Sequence, residues 1–160
     1  MLRFAGAVLL IGLLLYLCLL HSRREERRVR ECEGFLLLVR HIRAEIGTFR
    51  TPLDRSISGF ENPALEEAGL LPLARERGLA LALEECRERL LLDGEDMKCL
   101  LAFAEGVGKG YTQQALALCE RTERALSSTL EKRKSEAPAR ARTGQALLLF
   151  GGLSLLLLLG

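Results

Sequence analysis

Uncharged apolar runs near both ends of this chain constrain its fold more than any other feature. They cover residues 4–20 and 146–159, and all 21 acidic residues of the 160-residue chain lie between them. Their apolar side chains surround the whole helix circumference instead of forming one stripe. Crossing a hydrocarbon core of about 30 Å takes about 20 residues, so the second run, with only 14, is short. We predict a membrane hairpin of two transmembrane helices, the second of them short.

Each run has one alternative interpretation. The first could be a cleaved signal peptide with Arg3 in its basic region. However, Arg23 and Arg24 follow it without an A-x-A cleavage pattern, which favours an anchor. The second could be a buried core helix, since about ten to fourteen apolar residues suffice for one. Its C-terminal position behind Arg140 and Arg142 favours a membrane anchor.

Basic residues on the inner flanks of the two runs predict the orientation. The residues concerned are Arg23, Arg24, Arg27, Arg28 and Arg30 after the first run, and Lys132, Arg133, Lys134, Arg140 and Arg142 before the second. Flanks rich in arginine and lysine stay on the cytoplasmic side. We therefore predict a two-span membrane protein, with residues 21–145 in the cytoplasm and both termini outside.

The net charge of +2 conceals a gradient along the predicted cytoplasmic domain. Residues 21–43 and 111–145 each carry seven basic against four acidic residues, whereas 44–110 carry thirteen acidic against eight basic. Basic segments beside a membrane gain from anionic lipid headgroups, so lipid is a predicted partner. The acidic part is either a solvated face or a surface for a basic partner. Interleaved glutamates and few aromatic residues argue against nucleic-acid binding.

Helical periodicity runs through the whole segment between the apolar runs, and no strand pattern occurs. We expect helices to begin with Thr51, Asn62, Asp93 and Thr112 as N-caps, with Pro52 at the first helical position and Asp54 at the third. Residues 70–92 form one expected helix with a break at Pro72 or Gly78, and glycines at 69 and 106–110 end helices. The expected core positions are Val29, Phe35, Leu38, Ile42, Ile46 and Phe49, then Leu79, Leu83, Cys86 and Leu90, then Met97, Leu100, Leu101, Ala104 and Val107, and finally Leu116, Cys119, Leu126 and Leu130. The predicted fold is all-α: an antiparallel bundle of five to six cytoplasmic helices over 21–145, flanked by N- and C-terminal transmembrane helices at 4–20 and 146–159.

Residues that could carry chemistry do not form a recognisable site. The glycine cluster at 106–110 lacks the spacing and preceding strand of a phosphate-binding loop, and predicts a helix C-cap and turn. Neighbouring carboxylates at 66–67 and 84–85 diverge on a helix. The two histidines have no ligand spacing, and the five cysteines are typical of small core residues in a reducing compartment. We predict no catalytic, cofactor-binding or metal-ligating residues, no cofactor, and no enzymatic activity.

Several short segments together resemble the stage III sporulation protein AB family of endospore-forming Firmicutes. They are the opening apolar run, Glu45-Ile46 followed by Arg50-Thr51-Pro52-Leu53, the turn Leu101-Ala102-Phe103-Ala104-Glu105-Gly106-Val107-Gly108-Lys109, the helix with Gln113-Gln114, and the closing apolar run. The likeness covers essentially the whole chain. It departs from the family pattern at Tyr111, where an acidic cap is expected, so we assign the cap to Thr112.

The resemblance implies more than the spacing shows. The family is similar to inner-membrane platform proteins of type II secretion and type IV pilus systems, whose cytoplasmic domains are six-helix bundles. It implies a non-enzymatic scaffold in the mother-cell membrane around the forespore. The implied partners are the other stage III sporulation proteins of a channel complex and a cytoplasmic secretion-type ATPase. The alternatives are a membrane-anchored helical adaptor for a signalling or regulatory partner and, with least support, a membrane enzyme; a homo-oligomer is left open.

Overall fold

The structure, a computed structural model, describes the backbone of residues 2–49, 52–108 and 111–159, and side chains at 12–13, 15–49, 52–108 and 111–136. Seven α-helices and one π-helical turn follow one another along this part of the chain. They are α1 (Leu2–Ala44), the π-helical turn (Glu45–Phe49), α2 (Leu53–Ser58), α3 (Pro63–Glu67), α4 (Leu70–Arg77), α5 (Leu79–Glu85), α6 (Gly94–Val107) and α7 (Thr112–Leu159). No strand occurs in the described residues, and the all-α prediction is confirmed.

The chain divides into two compact units. One comprises residues 1–26 and 132–160, and the other is Arg27–Glu131. The predicted helical domain, 21–145, contains the second unit whole. Two predictions fall largely outside the residues whose side chains are described: all of 146–159 and roughly half of 4–20. Within the described residues, no helix combines the length and apolarity that a membrane crossing requires.

One hydrophobic core fills the 27–131 unit. Its largest fully buried side chains include Phe35, Leu38, Ile42, Ile57, Leu65, Leu70, Leu71, Leu83, Leu100, Phe103 and Leu126. The α1 members recur at intervals of three and four residues, as expected for one helix face. Most predicted core positions are confirmed; Val29, Leu101 and Leu116 are only partly buried against the core.

Phe49 was predicted on the core face of α1, and this prediction is wrong because its side chain is 71% exposed. The backbone changes to a π-helical turn over Glu45–Phe49. A π-helical turn holds more residues than an α-helical one, so positions after Ile46 leave the 3.6-residue stripe. Ile46 is the last buried residue of that face.

Short helices α2 to α5 show which local signals determine their ends. The Asn62 side chain accepts a hydrogen bond from Leu65 N at 3.2 Å, which confirms it as the N-cap of α3. Gly69 and Gly78 adopt φ of 78° and 87°, so a left-handed backbone separates α3 from α4 and α4 from α5. Of the two predicted breaks in the 70–92 segment, Gly78 is the real one, and Pro72 lies inside the first turn of α4.

Three predicted helix ends differ from the structure: the start of α2, the end of α5 and the start of α7. Pro52 is the residue before α2, with an extended ψ of 145°, so Asp54 is the second helical residue instead of the third; Thr51 lies outside the described residues. The helix predicted to reach Leu92 ends at Glu85, because Cys86 N closes the last turn and an irregular turn follows.

Thr112 is the first residue of α7, and the carbonyl oxygen that begins this helix belongs to Tyr111, which accepts from Ala115 N at 3.0 Å. The prediction that Thr112 caps α7 is therefore wrong. Asp93 occupies the predicted cap position of α6, but its side chain makes no capping hydrogen bond and lies 3.9 Å from Arg28. The predicted glycine stop of α6 is confirmed at Gly108, although its φ of −90° needs no glycine.

Candidate functional site

The helices α1 and α7 pair antiparallel within the 27–131 unit. Arg43 contacts Glu120 at 2.7 Å, Arg40 contacts Glu123 at 2.7 Å, and Cys32 Sγ lies 3.8 Å from the Leu126 carbonyl oxygen. Later residues of α1 therefore contact earlier residues of α7, so the two helices run in opposite directions. The chain therefore enters this unit at Arg27 and leaves it at Glu131 on one side, which we call the chain-exit end.

A buried carboxylate marks the chain-exit end. The Glu31 side chain is 0% exposed; its Oε1 accepts from Arg27 Nε at 2.9 Å and its Oε2 from Leu91 N at 2.7 Å. Arg27 also donates to the Arg89 carbonyl oxygen at 3.4 Å. These contacts attach the turn after α5 to α1, and they satisfy a carboxylate that would otherwise be costly to bury.

Sequence reasoning did not identify Glu31. A signal was present, since Glu31 precedes Phe35, Leu38 and Ile42 by four, seven and eleven residues and so lies on the buried stripe of α1. A charged residue on a core stripe predicts a buried, paired group. The preceding basic residue at the i−4 position, Arg27, supplies the partner.

Toward the other end of the helix pair, an ion-pair network joins α1 to α7. Glu123, whose side chain is 19% exposed, accepts hydrogen bonds from Arg40 Nε at 2.7 Å and Arg43 at 3.1 Å. The Arg40 hydrogen bond is the main cause that holds the pKa of Glu123 below its ordinary value, and partial burial opposes it. Arg43 and Arg124 both contact Glu120, at 2.7 and 3.5 Å. The network fixes the register of the two helices.

An open groove of about 400 Å³ runs beside this network. It is lined by Arg43, Glu120, Glu123, Arg124, Ser127, Ser128 and Glu131. Most of its charged side chains already pair with one another. A second open groove, of about 270 Å³ and lined by residues of α4 and the α5 region, contains Glu76, Glu85 and Arg89. Neither groove presents a converging set of unpaired polar groups to a small molecule.

We call the side opposite the chain-exit end the far end. It comprises the π-helical turn, the start of α2 and the start of α7. A methyl group at Gly47 would lie 3.6 Å from Leu116, so the π-helical turn meets the start of α7. One at Gly108, the residue after α6, would lie 3.7 Å from Leu53, so the end of α6 meets the start of α2. Phe49 and Tyr111, at this end, are 71% and 83% exposed. Tyrosine is enriched at binding hot spots, and phenylalanine is enriched in protein interfaces.

Three of the five cysteines are core residues, as predicted, and two are not. Cys32, Cys86 and Cys119 are buried, Cys99 is partly exposed and Cys18 is exposed, and all five are free thiols. Burial raises the pKa of the Cys119 thiol to about 11 and raises that of Cys86 as well. A thiol with a raised pKa forms little of the reactive thiolate at neutral pH.

His41 takes part in packing. Its Nε2 lies 3.1 Å from the Ser56 carbonyl oxygen, and its ring lies 5.4 Å from that of Phe60. In the described part of the chain, no three side chains among His, Cys, Asp and Glu converge as metal ligands would. The adjacent carboxylates at 66–67 and 84–85 are all exposed, with Glu66 near Arg75 and Glu85 near Arg77.

Comparisons with protein-family models, with curated proteins and with solved structures gave no match.

Proposed function

We propose that this chain is a non-enzymatic membrane platform protein. In this proposal residues 4–20 and 146–159 are its two membrane-spanning helices, and the helical domain between them lies in the cytoplasm. Following the resemblance to the stage III sporulation protein AB family, the domain docks a cytoplasmic secretion-type ATPase. The setting would be a channel complex in the mother-cell membrane around the forespore.

One observation carries the proposal: the chain enters and leaves the 27–131 unit at the same end. The pairing of Arg43 with Glu120, together with that of Arg40 with Glu123, makes α1 and α7 antiparallel. A domain held by two membrane anchors at a single surface requires its two connections on one side. A soluble core that used both apolar runs internally would carry no such requirement.

The charges and the closed core agree with a scaffold. The apolar runs are flanked on their inner sides by basic residues, as cytoplasmic flanks are. The interior of the 27–131 unit is filled with aliphatic and aromatic side chains. Several of its charged side chains form ion pairs between helices, which suits a docking domain better than an active site.

The topology is tested with an exposed cysteine in the helical domain. Glu88 is exposed and has no polar partner among the described residues, so E88C adds a reporter thiol. We expect a membrane-impermeant maleimide to label E88C in permeabilised cells and not in intact cells, with the unsubstituted chain as background. A cysteine placed at Leu2 should show labelling in intact cells. Labelling of E88C in intact cells would overturn the cytoplasmic assignment.

The partner is tested by crosslinking the full chain in sporulating cells and identifying the recovered proteins. We expect a secretion-type ATPase together with small membrane proteins of the same complex. Recovery of an unrelated regulatory protein without any ATPase would favour the adaptor alternative. A variant lacking residues 146–160 is the matched control, because it keeps the 27–131 unit while removing one proposed anchor.

A further inference from the structure

Two arginines lie where the first proposed membrane helix meets the headgroup layer. The helix α1 is continuous from Leu2 to Ala44, so each residue advances about 1.5 Å along its axis. Arg23 and Arg24 therefore lie about 4.5 and 6 Å beyond Leu20, the last residue of the apolar run. The polar layer on each side of a bilayer is about 5–8 Å thick. This argument rests on the proposed function, because it takes Leu20 as the edge of the hydrocarbon.

The structure separates these arginines from the three that follow. Arg27 is held by Glu31 at 2.9 Å, and Arg28 lies 3.9 Å from Asp93, so both contribute to the protein's own charge pairs. Arg30 is exposed, but it lies about 15 Å beyond Leu20 and outside the headgroup layer. Only Arg23 and Arg24 combine the right depth with an uncommitted charge.

Both guanidinium groups are available to a ligand. Arg23 and Arg24 are exposed and make no ion pair or hydrogen bond within the part of the chain whose side chains the structure describes. The residues four positions onward are themselves arginines, Arg27 and Arg28, and Glu26, three positions after Arg23, forms no ion pair with it among the described side chains. A guanidinium can form two parallel hydrogen bonds with a phosphate, which a lysine cannot.

We propose that Arg23 and Arg24 bind the phosphate groups of anionic phospholipids, and that this fixes the depth of α1 in the membrane. The ligand class is an anionic glycerophospholipid of the cytoplasmic leaflet, with phosphatidylglycerol as the probe. The site attracts such lipids over zwitterionic ones because its two positive charges have no partner among the side chains that the structure describes.

The test measures lipid selectivity around the full chain reconstituted in phosphatidylcholine bilayers. Spin-labelled phosphatidylglycerol and phosphatidylcholine report the immobilised lipid fraction by electron paramagnetic resonance. We expect a preference for phosphatidylglycerol that falls roughly fivefold for each arginine removed, in R23Q and then in R23Q/R24Q. The matched control is R55Q/R87Q, which removes the same charge from two exposed arginines of the 27–131 unit and should leave the preference unchanged. The preference should also weaken in high salt.

Each outcome decides between the two proposals. A chain that resists alkaline carbonate extraction but shows no phosphatidylglycerol preference would overturn the lipid site and leave the platform proposal standing. A chain that is extracted by carbonate would overturn both. Loss of the preference on adding inorganic phosphate at constant ionic strength would show a site for free anions and would also overturn the lipid assignment. Equal losses in R23Q/R24Q and R55Q/R87Q would indicate a general charge effect and contradict it.

Discussion

The chain-exit end and the far end of the 27–131 unit differ in how they use polar and aromatic side chains. At the chain-exit end a fully buried carboxylate, Glu31, attaches the turn after α5 to α1 through Leu91 N at 2.7 Å. At the far end Phe49 and Tyr111 are largely exposed. Buried polar contacts hold the chain-exit end together where both connections leave, whereas the far end exposes two aromatic side chains to solvent. This division suits a domain anchored at one side and free to contact a partner at the other.

Among the changes to polar side chains, removing Glu31 should have the largest effect on stability. Glu31→Ala leaves Leu91 N without its acceptor, whereas Arg27, whose side chain is 46% exposed, can be solvated by water, so we expect a loss of about 2–3 kcal/mol in the free energy of unfolding. Glu31→Gln should lose less, since the amide oxygen can still accept one hydrogen bond. Urea unfolding of the full chain in a nonionic detergent, followed by circular dichroism, measures both.

Glu105 supplies the control for this prediction, because it is exposed on α6 and has no polar partner among the described residues. Glu105→Ala should change stability by less than about 0.5 kcal/mol. If Glu31→Ala were as mild as the control, the chain-exit end would not be the rigid one.

A smaller loss is expected less than one turn further along α1. A methyl group at Gly34 would lie 2.7 Å from Asn62 Oδ1 and 3.0 Å from Leu65, so Gly34→Ala disturbs the N-cap of α3. Alanine gains up to about 1 kcal/mol in helix propensity, but displacing the cap and the leucine costs more, so we expect a net loss of about 1–2 kcal/mol. Gly94→Ala, which meets open space, should be neutral or stabilising. A stabilised Gly34→Ala would show that this region is loosely packed.

The parts of the fold that sequence predicted were those set by local rules. Asn62 followed by Pro63 predicts a capped helix start, and the cap is there. The prediction for Phe49 was wrong because a π-helical turn changes the number of residues per turn, and no local sequence signal predicts that turn. The helix expected to reach Leu92 ends at Glu85. In the irregular segment that follows, Leu91 N donates to Glu31, a residue sixty positions away. A contact between residues so far apart in the sequence cannot be predicted from the hydrophobic periodicity of one short segment.

The candidate site was less predictable than the fold. The apolar runs and their basic flanks are visible in the sequence, but the antiparallel pairing that places both connections at one end depends on Arg40, Arg43, Glu120 and Glu123 meeting across about eighty residues. The apolar stripe of α1 at Phe35, Leu38 and Ile42 leaves Arg40 and Arg43 off the core face. In the structure they contact α7 at the edge of that face, since a second helix covers it there.

Glu123, which lies toward the far end, allows the ion-pair network there to be tested by varying the pH. Its pKa is lowered in the folded chain, chiefly by the hydrogen bond from Arg40. The stabilisation is therefore fully present above the ordinary glutamate pKa of about 4.3 and is lost as pH falls through the depressed folded value. At neutral pH, Glu123→Gln should cost about 0.5–1.5 kcal/mol, because the group is partly exposed. The difference between the unsubstituted chain and this variant should vanish in acid, whereas Glu67→Gln, at an exposed and unpaired position, should show little difference at either pH.

The smallest stability effect is expected at the far end, and it is the most informative for function. Phe49→Ala and Tyr111→Ala remove side chains that are mostly in water already, so each should change the free energy of unfolding by less than about 0.5 kcal/mol. Phe35→Ala, in the core stripe of the same helix, should cost about 3–5 kcal/mol. A partner that contacts the far end would instead lose affinity in the first two variants, by about 1–2 kcal/mol each if the aromatic rings are anchors. If both variants crosslinked the partner with unchanged yield, the far end would not be the partner-binding surface. Because neither substitution should change folding stability, the yield reports contact with the partner.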